Sequence, residues 1–153
     1  KGSSVYGKQW FRDLCVDLDR LKSFYQTDVI VSFIEDAEMV LLQIPDINIR
    51  SEERGIPYYR FPLVDGTAPK MKQIREVVGV LLPLVRAGKN VVLHCRGGLG
   101  RAGTFAACVL VAIGLTAQKA IEKTRKTRVG AIENIQQEKA IVSYAKMLQN
   151  INN

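Results

Sequence analysis

The stretch VVLHCRGGLGRAGT, residues 91–104, decides how the rest of the chain is interpreted. Its first four residues form a short apolar run, which predicts a buried β-strand. A loop with three glycines follows, and from Arg101 an apolar helical pattern continues to about Ile113. A strand, a glycine-rich loop and a helix are therefore predicted in immediate succession.

The loop of this stretch has the composition of a phosphate-binding site. Glycines let the backbone turn tightly, so that several N–H groups converge on one point. The N-terminus of the following helix adds partial positive charge there, and the planar guanidinium of Arg101 matches two phosphate oxygens. Because the same positive charges favour the thiolate form of Cys95, the loop also holds a candidate nucleophile.

The remaining sequence alternates between strand and helix patterns. Strands are predicted over 28–34, 58–64 and 91–94, and helices over 17–26, 36–42, 69–87, 117–127 and 133–148. Inward-facing residues are predicted in the third helix (Ile74, Val77, Val78, Leu81, Leu82, Val85) and in the last (Ile135, Ile141, Tyr144, Leu148). Pro83 is expected to kink the third helix. This alternation predicts one α/β domain, over residues 5–150, with a central, mostly parallel sheet flanked by helices.

The charge of the chain favours anionic partners. Lys and Arg outnumber Asp and Glu by 22 to 15, and the excess lies in residues 77–132, which carry a net +8. The cluster KTRKTR, residues 123–128, is interpreted as a solvated face or as a site for an acidic partner. Aromatic residues are only 7% of the chain, and no nucleic-acid-binding motif accompanies the charge, which disfavours a nucleic-acid partner.

Cysteine usage and hydropathy limit the setting of the protein. Three cysteines, one histidine and no paired Cys-x-x-Cys spacing predict a reduced, cytoplasmic protein without a metal site. Cys15 and Cys108 are interpreted as buried structural residues. No apolar run approaches the ~18 residues of a membrane-spanning helix. Residues 1–10 lack the apolar centre of a signal peptide.

The order His94, Cys95, five residues and Arg101 resembles the signature of the cysteine-dependent protein tyrosine phosphatases. HCRGGLGR, residues 94–101, is most similar to the loop of dual-specificity enzymes of the kinase-associated phosphatase type. DLDRLKSFYQTDVIVSF, residues 17–33, and RVGAIENIQQEKAIVSYAKML, residues 128–148, are similar to the flanking segments of that subfamily. The resemblance spans about residues 17–148 and implies the dual-specificity phosphatase fold.

The resemblance also implies residue roles, with no cofactor or metal. Cys95 matches the nucleophile, Arg101 the residue that binds the phosphoryl oxygens, and Asp65 in LVDGTAP the acid that protonates the leaving group. Asp36 and Asp46 are weaker candidates for that acid. The resemblance implies that the phosphate-binding loop comprises Arg96, Gly97, Gly98, Leu99, Gly100 and Arg101. It also implies that three further residues support this loop: His94, Thr104 and Gln137. Arg96 is expected either to contact substrate or to lie in solvent.

Two departures from the family pattern affect the expected rate. Ala102 stands where relatives usually carry Ser or Thr, and Glu133 where they often carry Gln. The predicted function is that of a monomeric protein phosphatase acting on phosphotyrosine and on phosphoserine or phosphothreonine, with a protein kinase as one candidate partner. The alternatives are a phosphoinositide or nucleotide phosphatase on the same scaffold, and a phosphate-binding pseudophosphatase or kinase-docking module.

Overall fold

The computed structural model describes the backbone of residues 4–5, 8–9 and 12–152. The described strands are β1 (Ser4–Val5), β2 (Lys8–Gln9), β3 (Val29–Ser32), β4 (Tyr58–Arg60) and β5 (Val91–His94). The helices are α1 (Leu14–Ser23), α2 (Asp36–Leu42), α3 (Ile47–Glu52), α4 (Met71–Arg86), α5 (Gly100–Ala112), α6 (Ala117–Thr127) and α7 (Ile135–Asn152). Residues 6, 7, 10 and 11 of the predicted domain, and most of the segment considered for a signal peptide, lie outside the described residues.

A parallel sheet in the order β4–β3–β5 confirms the predicted α/β class. Val29 to Ser32 pair with Val91 to His94 on one side, and Ile30 to Ser32 pair with Tyr58 to Arg60 on the other. Because all three strands run in one direction, the loops that follow them meet at a single edge of the sheet. Ligands of open parallel sheets bind at this carboxyl edge, which is where Cys95 begins its loop.

Helix α5 lies at the centre of the core and starts at the glycine-rich loop. Ten of its thirteen residues are buried, because α4, α6 and α7 all pack around it. Phe105 on α5 stacks on Phe33 after β3, with ring centroids 4.4 Å apart. This packing fixes the start of α5, and therefore the loop, against the end of the sheet.

The amphipathic pattern of the flanking helices is confirmed in part. Ile74, Val77, Val78 and Leu81 of α4 are buried, whereas Val85 is exposed near the end of the helix. In α7, Ile141 and Tyr144 are buried and Leu148 is half-buried, but Ile135 is 54% exposed. The prediction for Ile135 was wrong because α7 begins at that residue, so its side chain precedes the part of the helix that packs on the core.

Several predicted boundaries differ from the observed ones. The helix predicted over 17–26 spans Leu14–Ser23, because Asp13 caps it by accepting a hydrogen bond from the Val16 amide at 3.1 Å. The strand predicted over 58–64 ends at Arg60, and residues 61–64 form the loop that leads to Asp65. Helix α3 was not predicted. Cys15 is half-buried on α1 and was wrongly predicted to be fully buried.

Candidate active site

The glycine-rich loop connects β5 to α5 and begins at the buried Cys95. Gly98 has a φ of 68°, a left-handed conformation that glycine adopts at little cost. Nη2 of Arg128, which ends α6, donates a hydrogen bond to the Gly97 carbonyl at 3.2 Å. The loop is thus held from the outside by α6 while its backbone turns toward the start of α5.

Arg101 is completely buried and gathers three distant segments around the loop. Its Nη1 donates to the carbonyl oxygens of Phe33 at 3.2 Å and Leu63 at 2.8 Å. Both terminal nitrogens donate to the Glu38 carboxylate, Nη1 to Oε2 at 2.6 Å and Nη2 to Oε1 at 2.7 Å. Within the described part of the chain, its buried Nε has no hydrogen-bond partner. A buried donor without a partner costs free energy, so this atom marks where a ligand oxygen would be bound.

Asp65 reaches the same guanidinium from the loop after β4. Its Oδ1 lies 2.9 Å from Nη2 of Arg101 and also accepts a hydrogen bond from the Gly66 amide at 3.1 Å. The Asp65 side chain is 52% exposed, which leaves it accessible to a substrate in the loop. The structure therefore brings together Cys95, Arg101 and Asp65, which the sequence analysis selected.

Gln137 and its neighbour Asn134 fasten the segment that carries Asp65. Nε2 of the fully buried Gln137 donates to the Thr67 carbonyl at 3.2 Å, and Nδ2 of Asn134 donates to the Gly66 carbonyl at 2.9 Å. The Gln137 amide in turn donates to Oδ1 of Asn134 at 2.9 Å. These contacts place Gln137 beside the loop after β4, where it positions the segment of Asp65.

Glu38 is a site residue that the sequence analysis missed. It lies on α2, is almost completely buried, and forms the paired hydrogen bonds with Arg101. Burial alone would raise its pKa, but hydrogen bonds from Arg101 and the Glu35 amide hold the pKa of Glu38 below its ordinary value. Burial also disfavours the charged form of Arg101, but the hydrogen bonds and the charge of Glu38 outweigh it and raise the pKa of Arg101. The paired hydrogen bonds with Glu38 therefore fix the orientation of the guanidinium beside Cys95.

His94 and Thr104 lie next to the loop with their polar groups directed into the protein. Burial lowers the pKa of His94 to about 4, so the ring is neutral at pH 7 and its buried Nε2 has no partner in the described residues. The Thr104 hydroxyl donates to the Gly100 carbonyl at 2.7 Å, one turn earlier in α5. That bond uses the only proton of the hydroxyl, and Ala102 offers no hydroxyl in its place.

The other residues considered in the sequence analysis lie outside this cluster or at its edge. Arg96 is exposed beside Cys95. Asp36 is 88% exposed and pairs with Arg60 at 2.6 Å, whereas Asp46 pairs with Arg50 at 2.8 Å on α3. Within the described residues, no group of three or more His, Cys, Asp or Glu side chains has the arrangement of a metal site. Asp65 is therefore the aspartate that the structure places against Arg101.

Comparison with known proteins places this geometry in context. A family model described as "PTP-SAK: Swiss Army Knife protein, DSP-PTPase phosphatase domain" matches residues 51–145. Cyclin-dependent kinase inhibitor 3 of Rattus norvegicus is 31% identical over 129 residues, which are 82% of this chain and 60% of that protein. Tyrosine-protein phosphatase CDC14 of Saccharomyces cerevisiae is 31% identical over 87 residues, 56% of this chain and 16% of that protein.

A solved structure gives the same relationship in three dimensions. Kinase associated phosphatase, in a form whose catalytic site cysteine is replaced by serine, superposes with a TM-score of 0.84 and 25% sequence identity. The match covers 97% of this chain and 83% of that one. By contrast, the chain spans only about 60% of the length of the curated relatives of the cyclin-dependent kinase inhibitor 3 group.

Proposed function

The chain belongs to the DSP-PTPase family of phosphatase domains, and on that premise we propose that it hydrolyses phosphate monoesters of proteins through a cysteinyl-phosphate intermediate. Phosphotyrosine is the primary substrate class, and phosphoserine and phosphothreonine are accepted as well. The catalytic residues are Cys95, Arg101 and Asp65. The loop of residues 96–101 binds the phosphoryl oxygens.

The first step transfers the phosphoryl group to the enzyme. The thiolate of Cys95 attacks phosphorus, so that an Sγ–P bond forms while the ester P–O bond breaks. Arg101 and the backbone N–H groups at the start of α5 stabilise the charge on the phosphoryl oxygens. Asp65 donates its proton to the departing ester oxygen, which leaves as an alcohol or phenol.

The second step releases phosphate and restores the enzyme. A water molecule attacks phosphorus, an O–P bond forms and the Sγ–P bond breaks. The carboxylate of Asp65 takes the proton from that water, and Cys95 returns as the thiolate. The Thr104 hydroxyl, bonded to the Gly100 carbonyl, would have to change partner to assist the departing sulfur, and Ala102 cannot assist it. Hydrolysis of the intermediate is therefore expected to be the slower step.

One observation carries the proposal: the guanidinium of Arg101 is held beside Cys95 with its buried Nε directed to no protein group in the described residues. A structural arginine at this depth would be expected to have all its donors satisfied. Here four hydrogen-bond acceptors and the Asp65 carboxylate surround the terminal nitrogens and leave Nε for a ligand. A phosphoryl oxygen is the acceptor that this loop, with its helix N-terminus, favours.

The test is hydrolysis of para-nitrophenyl phosphate and of a phosphotyrosine peptide by the wild-type chain and two cysteine variants. Cys95→Ser is expected to lower kcat by roughly 10³-fold or more, because it removes the nucleophile. Cys15→Ser, on the half-buried face of α1, is the matched control and should leave kcat unchanged. Retention of hydrolysis by Cys95→Ser would refute the proposed mechanism.

The role of Asp65 is tested separately with esters of different leaving groups. Asp65→Asn should slow an ester with a poor leaving group by roughly 10²-fold or more, because that group needs the proton, and a good leaving group far less. Asp46→Asn is the control, since Asp46 pairs with Arg50 away from the site. Equal losses on both esters would remove Asp65 from the role of acid.

The substrate, the cellular compartment and the oligomeric state are proposed from other features of the chain. A phosphorylated protein is the proposed substrate, and a protein kinase is the first candidate, since the similar rat protein is named a cyclin-dependent kinase inhibitor. The three cysteines are all free, which suits a reducing compartment such as the cytoplasm. We take residues 5–150 as one catalytic domain that acts as a monomer. No helix among the described residues is long and apolar enough to cross a membrane.

A further inference from the structure

The carboxylate of Glu133 lies directly against the start of α5. A side-chain carbon built on Gly100, the first residue of α5, would collide with Oε2 of Glu133 and would lie 3.2 Å from its Cδ. Gly100 immediately precedes Arg101 and belongs to the loop that is proposed to hold the phosphoryl group. A third carboxylate therefore lies against the backbone of the loop, in addition to those of Glu38 and Asp65, which pair with Arg101.

The backbone around Glu133 is held by contacts with α7 and with the glycine-rich loop. Its own amide donates to Oε1 of Gln137 at 2.8 Å, and the amide of Ile132 donates to the Leu99 carbonyl at 3.3 Å. Ile132 has a φ of 61°, which costs free energy for a β-branched residue and persists only where its surroundings impose it. Glu133 is nevertheless one of the exposed residues, in the segment that precedes α7.

The charge of Glu133 opposes that of a bound phosphoryl group. The helix N-terminus that would attract phosphate also stabilises a nearby carboxylate, so the two anions compete for the same partial positive charge. Because a phosphate monoester carries up to two negative charges at neutral pH, binding it brings like charges close together. Replacing Glu133 by glutamine would keep the shape of the side chain and remove the repulsion.

We propose that the charge of Glu133 weakens the binding of dianionic phosphate in the loop. This inference rests on the proposed function, because it assumes that the loop binds a phosphoryl group. It assigns to Glu133 control of the affinity for phosphate ester and for inorganic phosphate, the product. A site with this residue releases product more readily than the same site with a neutral side chain.

The test measures the binding of inorganic phosphate to the wild-type chain and to variants of Glu133 by titration calorimetry at pH 7.5. Glu133→Gln should bind phosphate about tenfold more tightly, because a charge beside a dianion contributes on this order even in a water-like dielectric. Glu133→Ala should also bind more tightly, since it removes the same charge. The difference from wild type should shrink at high salt, which screens exposed charges.

A matched control and a second outcome make the result decisive. Glu122→Gln removes the same charge on the exposed face of α6, where Glu122 contacts Gln118, and should leave the affinity within twofold of wild type. Equal affinity of Glu133→Gln and wild type, in a series where phosphate does bind, would overturn only the role of Glu133. Absence of phosphate binding in every variant would overturn the phosphate site itself, and this inference with it.

Discussion

Replacement of Glu38 by glutamine tests whether the buried pair with Arg101 holds the site together. Glutamine keeps the length of the side chain and a carbonyl oxygen, but it removes the charge and turns an N–H₂ group toward the guanidinium. The two lost charge-assisted bonds measure 2.6 and 2.7 Å, and Arg101 is completely buried. Breaking a buried pair at one partner costs about 3–5 kcal/mol. Because Asp65 and two carbonyl oxygens remain, we expect the lower end, about 3 kcal/mol.

The pH dependence of this loss follows from the lowered pKa of Glu38. Since that pKa is lower in the folded than in the unfolded chain, the contribution of the pair is complete above the ordinary value of 4.5. It disappears as the pH falls through the folded value, because the protonated side chain no longer pairs with Arg101. The difference in stability between wild type and Glu38→Gln should therefore be largest near pH 7 and should shrink below pH 4.5.

Urea and thermal unfolding at pH 7 and pH 3.5, followed by circular dichroism, measure this difference. A loss of about 3 kcal/mol lowers the midpoint of thermal unfolding by about 6–12 °C for a domain of this size. Glu52→Gln removes the same charge from the exposed end of α3 and should change stability by less than about 0.5 kcal/mol. A loss below about 0.5 kcal/mol for Glu38→Gln at pH 7, or a difference that does not shrink at pH 3.5, would refute the reasoning.

Three further predictions concern single residues around the site. Because burial lowers the pKa of His94 in the folded chain to about 4, the unfolded chain takes up this proton at a higher pH, and the free energy of unfolding should fall by about 2–3 kcal/mol between pH 6.5 and 4.5. His94→Gln should flatten this slope in urea titrations, and an unchanged slope would contradict the assignment. Gly100→Ala should lower the free energy of unfolding by about 1–3 kcal/mol, because the added carbon meets Glu133 and lies 2.9 Å from Nε2 of Gln137. Gly79→Ala in α4, which has open space around it, should raise the free energy of unfolding by about 0.5–1 kcal/mol, and the opposite order would be inconsistent with the packing. Burial raises the pKa of Cys108 to about 12, so iodoacetamide at pH 8 should modify this thiol only after the chain unfolds. Mass spectrometry follows the reaction, and rapid labelling of Cys108 in the native protein would show that α5 is less protected than its packing implies.

The bounds of a helix were predicted correctly where a capping residue was recognised at its start in the sequence. Helix α6 has the predicted bounds because Thr116 caps it, accepting from the Lys119 amide at 3.3 Å. Helix α3 is six residues long, and its sequence INIRSE has too few apolar residues to show a helical period. The strand predicted over 28–34 spans only Val29–Ser32, where β5 pairs with all four residues and β4 with Ile30 to Ser32. Sheet pairing is a tertiary property, so the sequence pattern alone overestimated the strand.

The candidate site was predictable as far as its parts lie close together in the chain. Cys95, the glycines and Arg101 form one continuous stretch, and Asp65 was found because the resemblance implies an acid about 30 residues before the cysteine. Glu38 could not be found in this way, because it lies 63 residues from Arg101 and its capping position in α2 gives an ordinary local reason for an acid there. The signal for a buried partner exists only after the chain has folded.

The hydrogen bonds around Arg101 form only when distant parts of the chain have folded together. Arg101 joins Phe33, Glu38 and Leu63, which lie 38 to 68 residues away along the chain. Contacts of such long sequence separation require the closure of long loops and are slow to form. Helical structure should therefore recover before activity when the unfolded chain refolds, and an intermediate with an intact α5 would still lack an oriented guanidinium. The proposed activity, rather than helix content, would be the stricter reporter of the native state.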